Sequence, residues 1–450
     1  MRGVNKGMMR REMRGTKIVK KAGILAMTAL LAMSTLTMGG CVQSGADTSA
    51  DGRTELVFWY SGGKTAVGVW DKLIAEFNAS QELYTVTGVT QADYDETYQK
   101  VQAGIASKTA ADVVLLDADK ARNLAEKKLL EDISVYVKED SSFEKEDYIE
   151  VFYEQGVLEN GMLFALPAYG TTQVMYYNRA VFEKAGILPE TIKTWQDVAA
   201  IDTALKNSGQ DGVYAWAPMW NADNLIDAAF SNGASFLSED GKTVMINSPE
   251  WVEVWEAFRV WLHDEQIMKI HYGGQGWEYW YKTMDDAVNG VAAGYTGSSG
   301  DQADLDFAVV GAMEQPGFGN HPSAPVARAL QFVIPANENE AETAGAYAFI
   351  RYLSSSEKQA EWSMGTGYVP VIKSTIEDPA YKAYTEENPQ ALVPFNQAMH
   401  GSVLPVDPTG GKIYDALDIA ADKVEIENIS AKEALDEAQE AAQKALTALQ

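Results

Sequence analysis

The chain has 450 residues, a formal net charge of −28, 46% hydrophobic residues and a single cysteine. A surface this acidic argues against nucleic-acid binding, which rests on Lys and Arg neutralising phosphate, and gives no basis for broad adsorption to anionic lipid. One cysteine makes no disulfide framework and no cysteine metal site, so stability has to come from core burial, for which the length allows two domains.

Arg10, Arg11, Arg14, Lys17, Lys20 and Lys21 precede an apolar run over 22–38, which ends on Gly39, Gly40 and Cys41. These are the basic region, apolar region and small-residue cleavage site of an export signal. The run is shorter than the about 20 residues of a membrane span, and no positive stop-transfer cluster follows it. The junction resembles a bacterial lipobox, with Met38 where that motif usually has Leu. The resemblance implies that residues 1–40 are removed and that Cys41 is lipidated, holding the chain to the cell membrane outside the cytoplasm. Without residues 1–40 the charge is 28 − 63 = −35, since that segment carries eight basic residues and one acidic residue.

Residues 41–54 read as a flexible polar tether, and the fold starts at Glu55. Short apolar or alternating runs at 56–60, 84–89, 111–116, 163–167, 172–178, 214–218, 291–297, 306–313 and 329–335 predict strands. Residues 167–172, PAYGTT, read as a loop joining two of them. Helical periodicity alternates with these runs, which predicts an α/β fold. Thr194–Asp197 reads as a capping box, Asn247–Glu250 as a proline-started helix, and Ser430 with Glu433 as the cap of an Ala-rich C-terminal helix through Leu449.

Catalytic signals are missing. His263, His271, His321 and His400 show no metal-ligand spacing, Gly297-Ser298-Ser299-Gly300 is not a nucleophile elbow, and Gly273-Gly274-Gln275-Gly276 is no phosphate loop. No metal and no cofactor are expected. Carboxylate pairs such as Asp117 with Asp119, or Asp285 with Asp286, are expected by chance at this acid content.

Aromatic residues in loops are the positive signal, among 11 Trp and 21 Tyr. Trp59 and Tyr60 end the first strand, Tyr169 lies in PAYGTT, Trp216 and Trp220 lie in WAPMWN, Trp277 in QGWEYWY, and Tyr368 in TGYVP. Their rings suit the C–H faces of a sugar, with neighbouring Asp, Asn, Ser and Thr for its hydroxyls. Trp251, Trp255 and Trp261 share a helix face and read as core.

Read in order, LVFWYSGG, FALPAYGTTQVMYYNRAVFEKAGI with TWQD, AVNGVAAGYTGSSG and GTGYVPV resemble family-1 extracellular solute-binding proteins, which feed ABC importers and include maltose-binding and glycerol-3-phosphate-binding members. The resemblance implies a type II periplasmic-binding-protein-like α/β fold, with two lobes joined by crossover hinge strands. Lobe 1 is expected over 55–165 and 303–337, lobe 2 over 166–302 and 338–450. It would place Trp59, Tyr60, Tyr94, Asp117 or Asp119, Thr171, Thr172, Trp216, Trp220, Ser298, Ser299 and Tyr368 at the cleft. Trp59, Trp220 and Trp277 are the expected stacking platforms.

The expected activity is capture of a carbohydrate, such as a short oligosaccharide, by a monomer that delivers it to a membrane permease. Members that bind glycerol phosphates carry a Gly-Gly-x-x-Trp segment where this chain has Val326-Ala327-Arg328-Ala329-Leu330, and a late arginine absent from 395–415. Both departures favour a neutral ligand. The alternatives are the same fold binding glycerol-3-phosphate or a glycerophosphodiester, for which Arg328 would supply the charge, and a surface-anchored glycoside hydrolase with two carboxyls about 5–9 Å apart.

Overall fold

The computed structural model describes residues 52–275, 277–337 and 339–449, so the signal segment, Cys41 and the tether up to Asp51 lie outside the described residues. The strands are β1 (Thr54–Tyr60), β2 (Tyr84–Thr90), β3 (Val113–Asp117), β4 (Ala165–Asn178), β5 (Gly294–Ser298), β6 (Val310–Met313), β7 (Val326–Val333) and β8 (Ser402–Val403). β2, β1 and β3 run parallel, and β7 lies antiparallel between β3 and the first half of β4. The second half of β4 pairs antiparallel with β5 and β6 instead.

β4 is therefore one 14-residue strand that leaves one sheet and enters another, and PAYGTT is its middle. Proline and glycine there punctuate the sequence without breaking the strand. Pro167 sits at a register shift, where its missing N–H removes no regular ladder bond. Gly170 lies against the Phe152 ring, which a Cβ would strike.

Each half of β4 has its own core. Leu56, Phe58 and Tyr60 alternate on one face of β1 and pack with Trp70, Phe332, Phe349 and Trp362; Trp70 and Trp362 stack at 4.0 Å. The other face of the same sheet packs Val114, Leu116 and Phe164. The second core gathers Trp195, Trp216, Trp251, Trp255 and Trp261 with the helices Lys412–Glu425 and Ala431–Thr447, as the one-face spacing of the last three predicts.

Core membership is discontinuous along the chain. Ala346, Phe349, Trp362 and Phe395 belong to the first core, whereas Phe318 belongs to the second and β6 pairs with the second half of β4. An amphipathic helix declares that one face is buried but not against which sheet. The backbone passes between cores along β4 near Thr172, at Val326–Ala327 in β7, and between Ala398 and Leu404, where β8 pairs with β7.

The helix ends follow local chemistry. Thr194 and Asp197 form the reciprocal capping box, and Ser430 accepts from the Glu433 N–H. Ser248 instead donates to the Glu250 carboxylate at 2.6 Å and leaves the helix N–H groups of Pro249–Arg259 without a side-chain cap.

Candidate functional site

Where β4 changes partners, Thr171 projects its hydroxyl towards two serines. Its Oγ1 lies 3.4 Å from Ser298 Oγ and 3.3 Å from Ser299 Oγ, because β5 ends at Ser298 and the chain turns at once into a short helix over Ser299–Ala303. Ser298 Oγ accepts the Gly300 N–H at 3.1 Å and fixes that turn. Gly300 abuts the Tyr368 ring, which a Cβ would approach to 2.9 Å. Tyr368 leans on Tyr169 at 4.7 Å, and Tyr169 continues to Trp362 at 4.9 Å. The Tyr94 and Tyr169 hydroxyls share a hydrogen bond of 2.9 Å, and burial raises the pKa of both phenols. An aromatic wall thus meets a collar of hydroxyls at the crossover.

A charged flank adjoins it. The helix Ala118–Glu126 and the loop 403–411 enclose a cavity of about 300 Å³, lined among others by Asp95, Tyr98, Asp119, Lys120 and Tyr414. Lys120 donates to Asp117 at 2.7 Å and reaches Asp95 at 2.8 Å. Burial disfavours the Lys120 ammonium, but the two carboxylates outweigh it and hold its pKa above the ordinary lysine value. Burial likewise raises the pKa of Asp117 against the pull of Lys120. Arg328, in β7 directly opposite Thr171, donates to Asp223 at 2.5 Å.

On the lobe-2 side, Trp220 donates its indole N–H to Asp422 at 2.9 Å and meets Tyr279 edge-on at 4.9 Å. Trp277 is 65% exposed and touches Trp280 edge-on at 5.8 Å. Trp280 in turn donates to Asp301 at 3.0 Å, two residues beyond Ser299.

Tyr94, Tyr169, Thr171, Ser298, Ser299 and Tyr368 are therefore brought together, with Asp117 and Asp119 on the neighbouring flank. Trp220 and Trp277 form a separate aromatic group on lobe 2. Within the crossover group, Tyr169 and Ser299 are buried, whereas Tyr94, Thr171, Ser298 and Tyr368 are half-buried. Three further expected residues, Tyr60, Trp216 and Thr172, are buried in the scaffold, and the half-buried Trp59 packs beside it. Tyr60 is buried in phase with Leu56 and Phe58 and donates to Asp71 at 2.6 Å. Trp59 points to the opposite face and packs on the core of Val114 and Phe164. Trp216 is fully buried and donates to Thr296 at 2.9 Å. Thr172 is buried, donating to the Val326 carbonyl at 3.2 Å and accepting from Gln397 at 2.6 Å. Asp223 and Asp301 were not expected near the site, because the two acids gain meaning only through partners distant in sequence; Trp362, buried within a helix, backs Tyr169 from the core.

The family model for bacterial extracellular solute-binding proteins matches residues 72–389. The sn-glycerol-3-phosphate-binding periplasmic protein UgpB of Rhizobium meliloti (strain 1021) is 25% identical over 381 residues, which cover 82% of this chain and 86% of that protein. UgpB from Mycobacterium tuberculosis, solved in complex with glycerophosphocholine, superposes with a TM-score of 0.74 at 21% identity, covering 88% of this chain and 100% of that one. The sugar-binding protein MalE from Xanthomonas citri gives 0.76 at 18% identity, covering 88% and 98%. These two solved structures share the type II periplasmic-binding-protein fold with this chain. The chain belongs to the bacterial extracellular solute-binding protein family, whose members are non-catalytic binding components rather than glycoside hydrolases.

Proposed function

We propose that the chain is the lipid-anchored substrate-binding component of an ABC importer, and that as a monomer it captures a neutral carbohydrate, a short oligosaccharide, for delivery to a membrane permease. The observation that carries this reading is the meeting of the Tyr94–Tyr169–Tyr368 wall with the Thr171, Ser298 and Ser299 hydroxyls at the crossover. Flat rings cover the C–H faces of a pyranose while the hydroxyls exchange hydrogen bonds with its own. A solute that binds these hydroxyls and also touches side chains of both lobes favours the lobe arrangement that lets it reach them all, and it shifts the lobes only by that difference in affinity. Lys120 is already engaged by Asp117 and Asp95, which supports a neutral ligand.

Isothermal titration of the mature chain from residue 42 against neutral mono- and oligosaccharides tests this reading. Binding by at least one saccharide is expected, and tight binding of phosphorylated ligands alone overturns it. A Cys41→Ser variant is expected to move from the membrane fraction to the soluble fraction, because the acyl chains supply the anchorage. The second reading, a glycerol-3-phosphate or glycerophosphodiester ligand, is favoured by the R. meliloti and M. tuberculosis relatives respectively and needs a cation free to meet the phosphate.

A further inference from the structure

Arg328 is out of keeping with its strand. β7 is small or apolar around it, with Val326, Ala327, Ala329 and Leu330 all buried, and a guanidinium placed there is costly unless its charge is matched. Its side chain is 24% exposed and that of its partner Asp223 is 41% exposed, so the pair is partly open to solvent. The register sets Arg328 opposite Thr171, one strand away from the Ser298 and Ser299 hydroxyls. A guanidinium carries five N–H donors. Among the described residues its hydrogen bond runs to Asp223 Oδ1, leaving donors of the fork without a protein acceptor. The Asp227 and Asp119 carboxylates act on it from the lobe-2 helix Ala222–Phe230 and from the helix Ala118–Glu126, with the Tyr414 phenol between them in strength. Acids therefore outnumber this cation.

We infer that Asp223 determines the charge selectivity of the cleft: by occupying Arg328 it makes the site reject phosphorylated and carboxylated solutes, while the open N–H groups of Arg328 remain donors for the oxygens of a neutral polyol. The inference rests on the reading of this cleft as the solute site. It adds a mechanism by which this chain can carry an arginine beside its solute site and still not use it as an anion receptor. The carboxylate also fixes the fork in one orientation, so Arg328 presents its remaining donors without an ordering cost at binding.

The test uses sn-glycerol-3-phosphate as the anionic probe and titrates it into the wild-type chain, Asp223→Asn, Asp223→Ala and the double variant Asp223→Asn with Arg328→Gln. Both single variants are expected to bind the probe about tenfold more tightly than wild type or better, the low end of what unmasking a unit charge at ion-pair distance supplies in a half-exposed site. The gain should disappear in the double variant and shrink as salt is raised. Folded single variants that bind no better than wild type overturn the inference, as does a wild type that already binds the phosphate as tightly as they do. Should the Asp223 variants not fold, Arg328→Gln alone decides: glycerol-3-phosphate binding unchanged from wild type supports the inference, and its loss overturns it. A wild type that binds no neutral saccharide defeats the carbohydrate reading separately, because the phosphate comparison does not depend on it.

Discussion

Asp301 joins the candidate site to the scaffold, and its burial makes it the group on which pH should act. It follows Ser298, Ser299 and Gly300, accepts the Trp280 indole N–H at 3.0 Å on one oxygen, and accepts the Tyr295 hydroxyl at 3.1 Å on the other. Burial pushes its pKa from 3.8 up to about 7, and the two hydrogen bonds pull it only part of the way back. A carboxyl with a folded value above its unfolded one holds its proton more tightly when folded. The stability it contributes is therefore fully present below pH 3.8 and lost as the pH rises through about 7. Between about pH 5 and pH 8 the loss amounts to about 2.7 kcal/mol. With an unfolding entropy of about 2.1 cal/mol/K per residue over roughly 400 folded residues, that is about 3 °C in melting temperature.

Asp301→Asn removes the titration and keeps an acceptor for Trp280. Its amide N–H faces the Tyr295 hydroxyl, which accepts as readily as it donates. Thermal melts followed by circular dichroism at about pH 5 and pH 8 should show the variant gaining about 3 °C on wild type across that interval. Asp227, whose pKa burial also pushes up to about 7, is present in both proteins and cancels in the comparison. Identical pH dependence in the two proteins would refute the assignment of a buried, titrating carboxyl at 301.

Tyr368→Ala removes the ring that links the aromatic wall to Gly300 and is expected to weaken saccharide binding about ten- to a hundredfold by calorimetry, from lost ring contact and apolar area. Tyr60→Phe is expected to leave the same titration unchanged while lowering urea-denaturation stability by about 1 kcal/mol, the net value of its bond to Asp71. Trp216→Ala, in the second core, should cost about 3–5 kcal/mol of stability by the same measurement. A folded Trp216→Ala protein that loses only affinity would return that residue to the cleft.

The runs that became β1, β2, β3 and β7 were legible because short apolar stretches bounded by turn residues have few other uses. The middle of β4 was not, since Pro167 and Gly170 are the strongest local turn signals. Only Phe152, packed on the far side, explains why a glycine there serves a strand. Period-two alternation separated Tyr60 from Trp59 all along: Leu56, Phe58 and Tyr60 share a phase, and the buried face of β1 runs to its last residue. The hydroxyls of Thr171, Ser298 and Ser299 were legible as small polar residues at strand ends. The pair of Arg328 with Asp223 was not, because 105 residues separate them and neither side of the pair has a local pattern.

The crossover itself explains how adjacent residues of β4 come to have different duties. Successive side chains in a strand point to opposite faces, so Thr171 faces the serines while Thr172 faces the hinge. There Gln397 donates to Thr172 Oγ1 and to the Gln173 carbonyl, each at 2.6 Å, and its own carbonyl accepts the Gln315 N–H at 2.7 Å. Gln315 donates in turn to the Gln173 carbonyl at 2.8 Å and to Asp227 at 2.7 Å, and Asp227 accepts the Val326 N–H at 3.0 Å. The network ties β4, β7 and the chain just before β8 at the places where they pass between cores. Its groups are buried, so opening it would strand polar atoms at about 1–3 kcal/mol each. A lobe movement is therefore cheapest if it leaves this knot intact and turns about it. Thr171 is one residue outside the knot and Ser298 pairs with its member Gln173, so both hydroxyls lie beside this axis. A solute that reaches from these hydroxyls to side chains farther from the axis on both lobes would sense the lobe angle, which is the differential affinity that closure requires.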